Sequence, residues 1–98
     1  MIIIERKFHL EPNCREKFLN VISEYFEKIE NDPYVENYAI VTTSIQNNCI
    51  IARFIVENLE SWQKRIQQEY ICEFLARSEA LVNSIETDTQ TTIKFYTK

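Results

Sequence analysis

Glycine is absent from the 98-residue chain, and this absence excludes several classes of site. Phosphate-binding loops and dinucleotide-binding folds need glycine where the backbone closely approaches a phosphate. The sharp turn that carries the nucleophilic serine of many hydrolases is likewise flanked by glycines. The sequence therefore predicts neither kind of site, and its turns must be built from Asn, Asp and Pro.

Histidine, cysteine and basic charge are also scarce. His9 is the single histidine, so one chain cannot form a multi-histidine metal site. Cys14, Cys49 and Cys72 are widely spaced, which is typical of reduced packing residues rather than of a disulfide framework or a zinc site. The net charge of −4, without a basic stripe, disfavours nucleic acid as a partner.

Long hydrophobic runs are missing as well. No apolar run reaches membrane-spanning length, and Glu5 interrupts the apolar residues 1–4 at once, so we expect neither a membrane span nor a signal peptide. The sequence therefore predicts a cytoplasmic protein without a membrane partner. A chain of 98 residues is long enough for one hydrophobic core, so residues 1–98 are expected to form a single domain.

The segments that remain alternate between strand and helix patterns. Strands are predicted at residues 1–10, 35–45, 49–56 and 91–97, and helices at residues 13–30 and 58–85. Asn13 and Glu16 have the spacing of a capping box at the start of the first helix. The order β-α-β-β-α-β predicts an α+β, ferredoxin-like fold, in which one antiparallel four-stranded sheet carries helices on one face.

The second helical segment does not fit one straight helix. One apolar stripe contains Leu59, Trp62, Ile66 and Tyr70, whereas a second stripe contains Ile71, Phe74, Leu75, Leu81, Val82 and Ile85. At about 100° per residue the two stripes are rotated by roughly a quarter turn or more. The pattern predicts a short helix, a break near residues 69–71 and a longer helix that ends at residue 85, with room for a ligand at the bend.

The predicted sheet has two unusual features. Arg6 lies in the apolar row of strand one, where it extends its charged end to an edge of the sheet, pairs with a carboxylate, or serves as the polar anchor of an apolar pocket. His9 belongs to the opposite face of the same strand. Residues 49–56 are apolar on both faces, and helices can cover only one of them. We therefore expect a homodimer that forms through the other face.

Three short motifs carry a resemblance to a known family. Leu10-Glu11-Pro12-Asn13 is similar to its "V-K-P-G" turn, residues 58–62 to its "S-L-E-A-W" helix start, and residues 70–74 to its "H-F-x-x-F" bend. With this order and spacing, the chain resembles the antibiotic biosynthesis monooxygenase-like family of dimeric α+β barrels. The resemblance implies a homodimer with a pocket between sheet and helices in each subunit. It also implies oxygenation of a phenolic, quinol-type or polycyclic aromatic molecule without metal, flavin or any other cofactor.

The resemblance also implies roles for particular residues. The expected catalytic residues are Arg6, Trp62 and Tyr70, and the expected substrate-binding residues are Phe8, Phe54, Ile66 and Phe74. A branch of the superfamily degrades haem with an Asn, a Trp and a His. Here Arg6 stands at the position of that Asn, Tyr70 stands where many members have the His of the bend, and no His occurs in residues 58–85, which disfavours haem.

Two further interpretations stay open at the level of sequence. The same dimer could hold or sense a small apolar ligand without catalysis. Alternatively, the aromatic residues could be ordinary core, with no cavity beside Trp62.

Overall fold

The structure, a computed structural model, describes residues 2–43 and 48–91, and for residues 36–40 the backbone only. The strands are β1 (Ile2–Leu10), β2 (Glu36–Thr43), β3 (Cys49–Val56) and β4 (Val82–Thr91). The helices are α1 (Arg15–Phe26), α2 (Leu59–Ile66) and α3 (Glu69–Ser78), and two 3-10 helices cover Glu27–Asn31 and Glu79–Leu81. None of these helices is long and apolar enough to cross a membrane.

The four strands form one antiparallel sheet in the order β2-β3-β1-β4. Because β1 pairs with both β3 and β4, the first strand of the chain lies inside the sheet. One core joins the sheet to the helices, and its largest fully buried apolar side chains are Ile4, Phe8, Phe18, Ile22, Ile50 and Val56. The predicted ferredoxin-like α+β fold with helices on one face is therefore confirmed.

The turn before α1 corrects the predicted capping box. Asn13 has a φ of 63°, so it occupies the left-handed region and cannot also cap the helix. Cys14 is the N-cap instead, without a side-chain hydrogen bond. Asn tolerates this backbone conformation better than most other non-glycine residues, which explains how the turn forms without glycine.

The predicted break in the second helical segment is confirmed, but it lies slightly earlier than predicted. Helix α2 ends at Ile66, and α3 begins at Glu69 after the extended Gln68, whose ψ is 145°. Asn58 caps α2, because its Oδ1 accepts a hydrogen bond of 2.9 Å from the backbone N–H of Ser61. Leu59, at the start of the first apolar stripe, is 54% exposed.

The last strand corrects the predicted end of the chain. The second helical segment does not continue to Ile85, because β4 begins at Val82 and pairs with β1 as far as Thr91. The strand predicted at residues 91–97 was therefore placed too late, and its residues 92–97 lie outside the described residues. Strand β4 is exposed along nearly its whole length, so backbone pairing to β1 holds it in place and no apolar alternation marks it.

The face of the sheet away from the helices mixes apolar and charged side chains. Ile3, Ile51 and Ile55 are half-buried there. Glu5 is 7% exposed and accepts a hydrogen bond of 2.8 Å from Arg53 Nε. His9 lies on this face, as predicted, with its Nε2 3.0 Å from Glu86 Oε1. The homodimer expected through this face stays a prediction.

Candidate functional site

An enclosed cavity lies between the sheet and the helices. Its volume is about 20 Å³, which is room for about one water molecule. The cavity is lined by Arg6, Phe8, Tyr25, Phe26, Ile29, Phe54, Arg65, Tyr70, Ile71 and Phe74. Strand β1, strand β3, α1 and the α2–α3 bend therefore all contribute to one mostly aromatic chamber.

Most of the residues predicted from the sequence meet at this cavity. Arg6, Phe8, Phe54, Tyr70 and Phe74 line it directly. The Trp62 ring packs behind the wall, with its centroid 5.7 Å from that of Phe54. Ile66 is half-buried against the core. Neither Trp62 nor Ile66 is among the described lining residues, but the Trp62 ring contacts two residues that are, Phe54 and Arg6. The roles assigned to all seven residues stay predictions.

Arg6 reaches the chamber from the helix-facing row of β1. Its guanidinium carbon lies 5.7 Å from the centroid of the Phe8 ring and 5.8 Å from that of Trp62. Its Nε is buried without a hydrogen-bond partner, and no carboxylate in the described part of the chain forms an ion pair with it. Burial, and then the nearby charge of Arg65, lower the pKa of Arg6. Arg6 is thus a guanidinium in an apolar wall rather than half of an ion pair.

Arg65 and Asp32 were not identified from the sequence as site residues. Arg65 Nε lies 3.3 Å from Asp32 Oδ2, in an ion pair without the alignment of a hydrogen bond. Their side chains are 3% and 0% exposed. The Arg65 guanidinium also lies 4.0 Å from the centroid of the Phe54 ring. Burial lowers the pKa of Arg65, and the contacts with Tyr70 and Asp32 oppose that shift.

Asp32 is the centre of a buried hydrogen-bond network. Its carboxylate accepts hydrogen bonds from the Tyr70 hydroxyl, from Gln68 Nε2 at 3.0 Å and from the backbone N–H of Tyr34 at 2.9 Å. The network joins the turn before β2 to the α2–α3 bend, and this explains why the helix breaks at Gln68.

The sequence did contain one signal for Arg65. It is a charged residue three positions after Trp62, and therefore on the same face of the helix.

Tyr70 closes one end of the chamber. Burial, reinforced by the hydrogen bond to Asp32, raises the pKa of Tyr70 well above its usual range. The hydroxyl is therefore a proton-bearing donor at neutral pH, not a base. On its outer side Tyr70 lines an open hollow of about 430 Å³ together with Lys28, Gln68, Glu69 and Glu73.

Arg6 borders a second open hollow at another side of the chamber. This groove has a volume of about 420 Å³ and is lined by Arg6, Leu75, Ser78, Glu79, Val82, Asn83, Ser84 and Ile85. It lies between α3, the 3-10 helix that follows it, and β4. Arg6 and Tyr70 therefore each line both the enclosed chamber and an open hollow.

The described residues contain no group of three or more His, Cys, Asp and Glu side chains that could hold a metal ion. Cys14, Cys49 and Cys72 are free thiols. The chemistry that the described lining offers is that of two guanidinium groups, the two phenols of Tyr25 and Tyr70, and an aromatic wall.

Solved structures share this architecture over almost the whole chain. A crystal structure of an antibiotic biosynthesis monooxygenase superposes with a TM-score of 0.85 at 9% identity, covering 96% of this chain and 100% of that one. The chain has the antibiotic biosynthesis monooxygenase fold. A mutant of SnoaB, a cofactor-independent oxygenase from Streptomyces nogalater, has this fold too, with a TM-score of 0.81, 10% identity, and coverage of 99% of this chain and 97% of that one.

Rv0793 from Mycobacterium tuberculosis gives a TM-score of 0.84 at 6% identity and covers 98% of each chain. No protein-family model and no curated protein matches the sequence. The resemblance stated from the three motifs is therefore confirmed as a shared antibiotic biosynthesis monooxygenase fold. Fold alone does not carry an activity, so the function has to be argued from the site.

Proposed function

We propose that this protein is a cofactor-independent monooxygenase that acts on a phenolic, quinol-type or polycyclic aromatic small molecule. The observation that carries the proposal is Arg6, a guanidinium without an ion pair among the described residues, set in an aromatic wall. The fold, which it shares with a protein described as a cofactor-independent oxygenase, supports the same reading.

The proposed chemistry needs little from the protein beyond placement and charge. The substrate itself supplies the electrons that dioxygen accepts, one oxygen atom enters the substrate, and the other leaves as water. Arg6 would stabilise the substrate oxyanion or the peroxide anion that forms from it. Tyr70 would act as a proton-bearing hydroxyl and not as a base, because its pKa is raised by burial, and it would donate to the substrate only after its hydrogen bond to Asp32 is released. Phe8, Phe54 and Phe74 would hold the ring, with Trp62 and Ile66 supporting them.

The size of the chamber sets a condition on this proposal. A cavity of about 20 Å³ holds no aromatic ring, so substrate must displace a wall residue or lie partly in an adjoining hollow. Tyr70 and Arg6 are the residues whose movement would join the chamber to the open hollows.

A second candidate function is a non-catalytic dimeric module that binds a small aromatic or apolar molecule. Two observations favour it. The Tyr70 hydroxyl is already committed to Asp32, and the Asp32 carboxylate has 0% exposure, so neither is free to take a proton from a substrate. Haem degradation is the less favoured alternative, since Tyr70 takes the place of a ligating histidine.

We further propose that two copies pair through the open sheet face, where Ile3, Ile51 and Ile55 are only half-buried. A partner copy would bury these side chains, which would stabilise a chain of this size. The free thiols of Cys14, Cys49 and Cys72 fit the reducing conditions of the cytoplasm. Analytical ultracentrifugation at micromolar concentration tests the dimer, and a monomer there would contradict it.

Oxygen uptake tests the catalytic proposal. Purified, metal-free protein is supplied with hydroquinones and anthrones, and uptake by Arg6→Ala is compared with uptake by Lys17→Ala, which removes the same charge from an exposed site on α1. We expect oxygen uptake by the wild type and by Lys17→Ala, and a large loss of oxygen uptake in Arg6→Ala.

No turnover across a broad panel of phenols would refute catalysis. A rise in Tm on adding a ligand, without formation of product, would instead support the non-catalytic binding module. Absence of a Soret shift with hemin is expected.

A further inference from the structure

We infer that the groove between α3 and β4 binds an aromatic oxyanion, with its ring on the apolar groove wall and its anionic group against Arg6. The inference rests on the proposed function, because it names the ligand class of the same site. It places the ring in the open groove before any wall residue of the chamber moves, because the chamber of about 20 Å³ cannot hold a ring until one does. A carboxylate, or a phenol acidic enough to be ionised at neutral pH, has the required chemistry.

The charges around the chamber do not balance among the described residues. Arg65 has its counter-charge in Asp32, at 3.3 Å. Arg6 has none there, and its Nε is buried without an acceptor. Arg6 is only partly buried, because it also lines the open groove, but a partly buried guanidinium without a counter-ion is less stable than a paired one unless something supplies the missing counter-charge. A bound oxyanion supplies it, and a guanidinium matches the planar geometry of a carboxylate.

The groove provides the apolar part of the site. Its volume of about 420 Å³ falls within the roughly 300–1,000 Å³ typical of small-molecule sites. Leu75 on α3 and Val82 and Ile85 on β4 form its apolar walls, and Ile85 is 38% exposed in a position where a ring could cover it.

One other charge on the groove orients the ligand. Glu79 lines the groove from the exposed 3-10 helix, and its carboxylate repels an anion from that part of the wall. The anionic group is therefore placed at the Arg6 end, whereas the ring extends toward Val82 and Ile85. A neutral amide can still accept a hydrogen bond from Arg6, but it does not supply a counter-charge, so charge is the property to test.

The pairing of β1 with β4 gives a precise way to fill this site artificially. Arg6 pairs with Thr87, and residues directly opposite in an antiparallel pair point to the same face. Thr87 is exposed, so Thr87→Glu places a carboxylate beside Arg6 without disturbing the core. Thr87→Gln is the matched control, because it has nearly the same size and no charge.

The experiment compares 2-naphthoate with 2-naphthamide, which share the ring system and differ in charge. Binding is measured by titration calorimetry on the full chain under argon, so that no turnover contributes. We expect naphthoate to bind at least about tenfold more tightly than naphthamide, as a charge-assisted contact should produce. Arg6→Gln and Thr87→Glu should abolish the preference, whereas Thr87→Gln and Lys17→Gln should keep it. Ile85→Ser should weaken both ligands by a similar factor, because it removes apolar wall.

Each contrary result overturns the inference. The inference is refuted if the wild type binds 2-naphthoate and 2-naphthamide equally tightly. It is also refuted if the Arg6→Gln variant still binds 2-naphthoate more tightly than 2-naphthamide. Inorganic phosphate that binds as tightly as naphthoate would show that the ring is not recognised. Failure here is separable from failure of the proposed function. If the protein consumes oxygen with neutral phenols but does not prefer naphthoate, the proposed monooxygenase activity is supported and this inference is refuted. If it prefers naphthoate but consumes no oxygen, the groove binds aromatic anions and the proposed activity is refuted.

Discussion

Replacing Asp32 with asparagine should destabilise the protein far more than its small change in size suggests. Asp32 and Arg65 form an ion pair whose side chains are 0% and 3% exposed. The variant leaves the Arg65 charge buried without its counter-ion. It also places an amide N–H₂ among groups that are donors themselves, including Gln68 Nε2 and the Tyr70 hydroxyl.

The expected loss in free energy of unfolding follows from the buried Arg65 charge that Asp32→Asn leaves without a counter-ion. Removal of one partner from a buried ion pair costs about 3–5 kcal/mol. Domains of this size have a free energy of unfolding of roughly 5–15 kcal/mol, so the variant should lose a large part of its stability. Urea unfolding at neutral pH, followed by circular dichroism, measures the difference as a fall in the midpoint with an unchanged slope.

The chain offers a matched control on its surface. Glu24 accepts a hydrogen bond of 2.8 Å from Arg77, and the two side chains are 58% and 43% exposed. Although this contact is shorter than the buried one, water solvates both charges when it is lost, so Glu24→Gln should leave the midpoint nearly unchanged.

A double variant completes the test. Arg65→Met in the Asp32→Asn background removes the orphaned charge and should recover part of the loss. Equal midpoints for Asp32→Asn and Glu24→Gln would refute the reasoning that burial, rather than contact distance, decides the cost.

Two further predictions concern Tyr70 and Asn13. Because the folded-state pKa of Tyr70 is raised, chiefly by burial, its stabilising effect is present below about pH 10, the value for an unfolded chain, and is lost as the pH rises toward the folded-state pKa. Wild type should therefore lose stability more steeply than Tyr70→Phe in alkaline urea titrations, and parallel curves would contradict this. Asn13, at φ 63°, should tolerate glycine, whereas Asn13→Ala should cost about 1 kcal/mol in thermal unfolding. Equal stability of the two Asn13 variants would show that the turn rearranges.

The segments that were predicted well are those whose pattern is local. The alternation along β1 depends only on neighbours in the sequence, and the helix-facing side chains of Ile4, Phe8 and Leu10 are buried as it predicts. The break between α2 and α3 was visible as a change of phase between two apolar stripes. Its displacement by about two residues reflects Gln68, whose side chain bonds to Asp32 from outside the helix.

The fourth strand was predicted to begin at residue 91 instead of Val82, because the first part of β4 has almost no local strand pattern. Apart from Val82 and Ile85 its residues are polar, and it is exposed nearly throughout, so neither face of it shows apolar alternation. Strand β1 holds it through backbone hydrogen bonds, which no side-chain pattern records. The same pairing places Thr87 directly opposite Arg6. No pattern in the sequence predicts that these two residues are neighbours in space.

By itself, the sequence determined the order of helices and strands, the ferredoxin-like class, and the face of β1 that carries Arg6 and Phe8, because each depends on periodicity within a short segment. Only the tertiary structure decided that Asp32 meets Tyr70, 38 positions away, and Arg65, and that Arg6 has no counter-charge among the described residues. The physical reason is that a buried charge is stabilised by whatever the fold brings beside it, and such partners are not neighbours in sequence.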